Sequence, residues 1–133
     1  MGFLMKEGKG VQEKSLYKRL GGYDLICAIV DAWFARMAED SKFAFFPAGL
    51  SDFSRKRARQ LTADFLCEAT GGPCYYFGLD IKTAHQGLGI TEGLWDVNIR
   101  YLSEVLDQLK VAPPEKNELL NVVKVYKESV VEK

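Results

Sequence analysis

The chain is almost without histidine. Its one imidazole, His85, rules out most chemistry that needs histidines in pairs or triads. Cysteine is sparse as well. Cys27, Cys67 and Cys74 make an odd number at irregular spacing, which is not a disulfide framework. Cys27 and Cys67 fall on apolar helix faces and read as small buried hydrophobes. Cys74 follows Pro73 in a loop, where nothing supports a redox role. An excess of one charge is also missing: Lys+Arg and Asp+Glu stand at 18 each. That balance counts against nucleic acid as a partner, because no general pull on a polyanion exists. No apolar run approaches the roughly 20 residues of a helical bilayer span, so no membrane partner is expected. Residues 1–14 lack the apolar stretch of a secretory signal and are expected to form a mobile tail. With thiols few and unpaired, a reducing cytoplasm is the expected compartment.

What is present is enough for one domain, expected over residues 15–133. The chain has 133 residues, 47% of them apolar, which supports one core and not two. Apolar residues recur at helical spacing and no Asn-Gly or Asp-Gly hairpin turn occurs, so the fold class is all-α. A short helix over 15–20 should stop at Gly21-Gly22. A longer one over 23–39 carries the stripe Leu25, Ile26, Ile29, Val30, Trp33, Phe34 and Met37. After the aromatic cluster Phe43, Phe45 and Phe46, Ser51 or Asp52 can cap a helix over 53–70. Its inward face reads Ala58, Leu61, Thr62, Phe65, Leu66 and Ala69; its outward face carries Arg55, Lys56, Arg57 and Arg59. Gly71-Gly72-Pro73 ends it. Asp80 should cap a very short helix bearing His85, and Thr91 a long one with Leu94, Trp95, Ile99, Leu102, Val105, Leu106 and Leu109 inside. Pro113-Pro114 opens a last helix with Leu119, Leu120, Val123, Tyr126 and Val130 facing inward.

His85 sits in a helix too short to stand on its own propensity, so its neighbours place it. One core also receives Trp33, Phe34, Phe45, Phe46, Phe65, Tyr76 and Trp95. No carboxylate or cysteine stands at zinc-site spacing from His85. A flat apolar cofactor with one axial protein ligand suits these facts. Haem needs a single imidazole and a dry aromatic slot, and leaves the sixth iron position open to a gas. Plain core packing explains the aromatics equally well at this point. No Cys-x-x-Cys-His occurs, which excludes c-type attachment and leaves non-covalent haem b.

Three segments in order make the pattern specific. They are Ser15-Leu16-Tyr17-Lys18-Arg19-Leu20-Gly21-Gly22, then Gly71-Gly72-Pro73 ahead of Tyr76 and Gly78, then Ala84-His85-Gln86-Gly87-Leu88-Gly89-Ile90-Thr91. In these the chain resembles the truncated haemoglobins, two-on-two helical globins built around a haem, and most of all their first group. The likeness spans about residues 15–123. It implies His85 as the proximal iron ligand, its other ring nitrogen donating to a carbonyl about one turn earlier. It implies Phe46, or Phe45 one register away, as the aromatic that wedges the haem. Ile81, Leu88 and Ile90 would line the proximal side, Trp95 and Ile99 the porphyrin edge, and Phe65 and Tyr76 further wall positions.

The distal pocket departs from that pattern. Where many first-group members carry an aromatic followed by tyrosine, this chain has Trp33-Phe34, and Phe34 has no hydroxyl. The position that often holds glutamine is Thr62, with Leu61 before it and Ala58 one turn earlier. Gln60 should point sideways. Thr62, Gln60 and a displaced Tyr76 are the candidate donors, and O2 retention is expected to be weak. Lys56 or Arg59 could pair a haem propionate, or the basic run could be a solvated face. The expected function is reversible binding of O2, CO or NO at a five-coordinate iron. Oxidation of NO, with a reductase as partner, and gas or redox sensing through a partner are the alternatives, along with a haem-free interaction module. A monomer or weak dimer is expected.

Overall fold

The computed structural model describes residues 14–43 and 52–132 of the chain. Residues 1–13 of the expected N-terminal tail, Phe45, Phe46 and the cap at Ser51 lie outside the described residues. Those described form seven α-helices and no strand: α1 (Leu16–Leu20), α2 (Tyr23–Ala38), α3 (Asp52–Ala69), α4 (Ile81–His85), α5 (Glu92–Gln108), α6 (Pro113–Lys124) and α7 (Lys127–Val130).

Local chemistry sets most boundaries. Ser15 caps α1, its Oγ accepting from Lys18 N–H at 3.2 Å. The helix ends at Gly21, whose φ of 116° a side chain would resist. Asp80 caps α4 through Thr83 N–H, and Thr91 caps α5 through Leu94 N–H. Pro113 and Pro114 occupy the first turn of α6, where a missing N–H costs nothing. At Gly72 a Cβ would come within 2.5 Å of the Tyr17 ring and 2.7 Å of Cys67 Sγ. This glycine therefore lets α1 close on the end of α3, where Tyr17 N–H also donates to Thr70 O at 2.9 Å.

Two helix pairs make the body. Helix α2 packs on α3, α5 packs on α6, and α2 crosses α5 to join the pairs. This is the two-on-two arrangement. Ile26, Ile29, Val30, Leu102, Val105, Leu106 and Leu119 are fully buried at the crossing. Burial of such side chains contributes about 1.5–3 kcal/mol each, so this seam dominates the stability. Helix α1 closes one end against α6, and α7 packs on α4.

Three expectations change. On α3, Ala69 is exposed and Ala63 is buried, because the core-facing stripe runs Ala63, Leu66, Cys67 and Thr70. The last helix is two helices: α6 stops at Lys124, and a turn at Val125 and Tyr126 redirects the chain into α7. Neither glycine nor proline marks that break. It brings Tyr126 edge-on to Phe65, with ring centroids 5.1 Å apart, and sets α7 on α4. Finally, Cys67 is buried but not a lone hydrophobe. It is disulfide-bonded to Cys74, seven residues on, while Cys27 is free. The tight turn at residues 71–73 folds the loop back on α3, a proximity that cysteine spacing alone did not encode. Closing so short a loop contributes about 2–3 kcal/mol through the unfolded chain.

Candidate haem site

A cavity of about 310 Å³ opens between the two helix pairs. This lies at the low end of the roughly 300–1,000 Å³ of ligand pockets. Helix α2 contributes Trp33, Phe34 and Met37, and α3 contributes Ala58, Leu61, Thr62, Phe65 and Leu66. Helix α4 and its flanks add Ile81, Ala84, His85, Leu88 and Ile90. Helix α5 adds Leu94, Trp95 and Asn98. Phe43, Tyr76, Val123, Tyr126 and Val130 complete the wall. The lining is overwhelmingly apolar, so a charged or strongly polar ligand would be poorly served and a flat hydrophobic one well served.

His85 ends α4 on this wall. Its Nδ1 lies 2.8 Å from Ile81 O, one turn back. A carbonyl only accepts, so Nδ1 carries a proton, and in the neutral ring Nε2 holds the lone pair. Nε2 has no hydrogen-bond partner among the described residues. An oriented neutral imidazole with a spare lone pair, in an aromatic slot, fits a haem iron. No group of three or more His, Cys, Asp or Glu capable of holding a metal occurs among the described residues, so a bare-ion site finds no support there.

The segment after His85 is held from outside. The Glu132 carboxylate accepts from Gly87 N–H at 3.0 Å and Gly89 N–H at 2.6 Å, and Glu132 N–H donates to Ile90 O at 2.8 Å. The two glycine N–H groups hold the Glu132 carboxyl below the usual glutamate range. The C-terminal segment thereby pins the stretch that leaves α4. Sequence reading missed this, because nothing local relates Glu132 to residues 43 and 45 positions away.

The other polar candidates around the cavity are mostly engaged. Thr62 Oγ1 donates to Ala58 O at 2.8 Å, within its own helix. Gln60 points sideways: its Nε2 donates to Tyr23 OH at 2.5 Å and Asp64 Oδ1 at 3.1 Å. Burial, then the bond to Asp64, pushes the Tyr23 phenol up to about 12. Tyr76 stacks edge-on to Phe65 at 5.4 Å and donates its hydroxyl to Leu79 O. Burial raises its phenol, with the Asp80 charge second. Trp33 Nε1–H donates to Asn98 Oδ1 at 2.9 Å.

Two residues expected near the haem, Arg59 and Ile99, do not line the cavity. Arg59 grips Asp31 with Nε at 2.7 Å and Nη2 at 3.0 Å, and is not on the cavity wall. The bidentate carboxylate raises its pKa and fixes it across α2 and α3. Ile99 packs against the core, and Asn98 takes the wall position beside Trp95. One residue turns a side chain by about 100° around a helix, enough to leave the slot. Asn98 was the unread signal: a polar residue three positions after Trp95, inside the apolar stripe of α5. The sharp turn into α7 likewise adds Tyr126 and Val130.

An apolar slot between two crossed helix pairs, with one oriented imidazole on its wall, is the design of a small globin. The family model described as bacterial-like globin matches residues 15–132, and the chain belongs to that family. Its curated relatives include truncated haemoglobins of group 1. The chain is 30% identical to that of Chlamydomonas moewusii over 88% of its own length and 68% of the relative's. It is 28% identical to that of Mycolicibacterium paratuberculosis over 82% and 78% of the two chains. Among solved structures, it is similar to the truncated haemoglobin of Tetrahymena pyriformis in its Fe(III) form. There the TM-score is 0.80, with 25% identity over 90% of this chain and 100% of that one. The 2/2 haemoglobin of Synechococcus sp. PCC 7002, in the cyanomet state with covalently attached haem, shares the fold at a TM-score of 0.81. That match has 23% identity over 90% and 100% of the chains. Globin membership implies a haem cofactor. No helix among the described residues is long and apolar enough to cross a membrane.

Proposed function

We propose that this chain holds haem b non-covalently in the apolar slot, with His85 as the proximal iron ligand, and reversibly binds a diatomic gas on the open side. The single observation that carries the reading is the His85 bond to Ile81 O, which engages Nδ1 and leaves Nε2 as the free ring nitrogen on the wall of an aromatic cavity. Haem supplies an iron with one coordination position left for O2, CO or NO.

The chain's own residues supply the rest. Ile81 O fixes the tautomer and plane of the His85 ring. Glu132 keeps the following stretch from swinging away. Trp95, Ile90 and Leu88 offer apolar surface beside the imidazole, with Leu88 partly open to solvent. Phe34, Leu61 and Ala58 keep the gas side dry. Residues 15–133 act as one globin domain, and no second domain is needed for this activity.

The test is the absorption spectrum of the haemin-reconstituted chain in ferric, ferrous and CO-treated forms, beside His85→Ala. The expected result is a Soret band that sharpens and shifts under CO in the parent chain and is altered in the ferrous variant. Unchanged ferrous spectra in His85→Ala would refute the ligand assignment. Absence of specific haem uptake by the parent would refute the reading as a whole.

A further inference from the structure

We infer that the Asn98 side-chain amide is the hydrogen-bond donor that meets a gas ligand in the slot, and that Trp33 aims it. The inference rests on the haem-slot reading above and adds the residue that sets ligand preference.

Asparagine carries one acceptor oxygen and an NH2 group with two donors. Its orientation is often ambiguous, but here chemistry settles it. The Trp33 indole N–H can only donate, so the atom 2.9 Å from it is Asn98 Oδ1. Nδ2 therefore points away from the indole, and neither of its hydrogens has a protein partner among the described residues. The side chain lines the cavity. An amide N–H left unpaired on an apolar wall is costly, so the site favours water or a ligand atom that accepts.

The other polar groups on the wall fit this role less well. Thr62 Oγ1 is committed to Ala58 O, and Tyr76 OH to Leu79 O. Trp33 has spent its N–H on Asn98. Tyr126 opens α7, which packs on α4, the helix of His85. Trp95 lies one turn nearer than Asn98 to the start of α5, which follows the His85 segment directly. Asn98 instead is tied to α2, beside Phe34. Its donor would favour a ligand whose outer atom carries partial negative charge, such as O2, over the weakly polar CO.

The experiment compares the haemin-reconstituted parent with Asn98→Leu, Trp33→Phe, Thr62→Val and Tyr126→Phe. It reads the O2 dissociation rate and the infrared C–O stretch of the CO-treated ferrous protein. Asn98→Leu is expected to speed O2 release by about tenfold or more, the scale of a bond to a charged acceptor. Its C–O stretch should move to higher wavenumber, since the positive end of an N–H dipole no longer faces the ligand. Trp33→Phe should speed release less and broaden the C–O band, because the amide is present but no longer aimed. Unchanged rate and stretch in Asn98→Leu, with the parent's Soret band retained, would overturn the inference while leaving the haem reading intact. A larger effect from Thr62→Val or Tyr126→Phe would also overturn it. A parent chain that takes up no haem removes the haem reading and this inference together, which haem uptake alone distinguishes from the other outcomes.

Discussion

Removing both partners of the Trp33–Asn98 bond should cost less than the two single losses combined, and a double-mutant cycle measures by how much. Trp33 is 7% exposed and donates across the gap between α2 and α5. In Asn98→Leu the indole N–H stays buried without an acceptor, a loss of about 1–3 kcal/mol. In Trp33→Phe the amide oxygen loses its donor and a ring's worth of packing disappears, together about 2–4 kcal/mol. With both changes neither orphan remains, so the double variant should lose less than the two losses combined, by about 1–2 kcal/mol. For a domain of this size each kcal/mol shifts Tm by about 3–5 °C. The assay is urea denaturation of the four chains at one fixed haem saturation, because bound ligand shifts apparent stability. Additivity within about 0.5 kcal/mol would refute the reasoning. The bond would then be too weak to orient the amide, and Trp33 would be core packing alone.

Two further outcomes follow from the same geometry. Glu132→Ala should free the N–H groups of Gly87 and Gly89, so their hydrogen exchange should quicken and haem should leave faster; exchange at both glycines unchanged from the parent would show that the C-terminal segment does not hold the His85 loop. The Asp40–Tyr101 pair gives a pH dependence with a definite sign. The Tyr101 hydroxyl, then Lys42 N–H, holds the Asp40 carboxyl below its ordinary range, and Asp40 in turn raises the Tyr101 phenol. A lowered carboxyl stabilises the fold above its unfolded pKa of about 3.9 and loses that effect as pH falls through the folded value. A raised phenol stabilises it below about 10 and loses that effect as pH rises through the folded value. The pair should therefore support the fold between those limits. Tyr101→Phe should let the Asp40 carboxyl titrate at higher pH, as followed by NMR; an unmoved titration would mean that Lys42 dominates.

The sequence by itself determined most helix boundaries and singled out His85, which the fold puts on the cavity wall. Caps at Ser15, Asp80 and Thr91, the glycines after Leu20 and Ala69, and the prolines at 113 and 114 are local chemistry, readable wherever the chain goes. His85 ends a helix too short to stand on its own propensity, so its neighbours place it. The apolar stripes of α2 and α5 marked the faces that bury Ile29 and Leu106.

What tertiary structure alone decided are relations between residues that sequence distance hides. Arg59 turned from the slot to Asp31, because α3 packs on α2 at a register that no local rule sets. Cys67 met Cys74 because the chain doubles back at residues 71–73. Asn98 replaced Ile99 on the wall through a rotation of one residue about α5, too fine for a stripe of apolar positions to specify. Glu132 reached the His85 loop only because α6 breaks without a glycine or proline to signal it. Periodicity fixes which side of a helix is dry. Which polar atom then finds which partner depends on how the helices settle against one another, and that is decided by packing of the whole core.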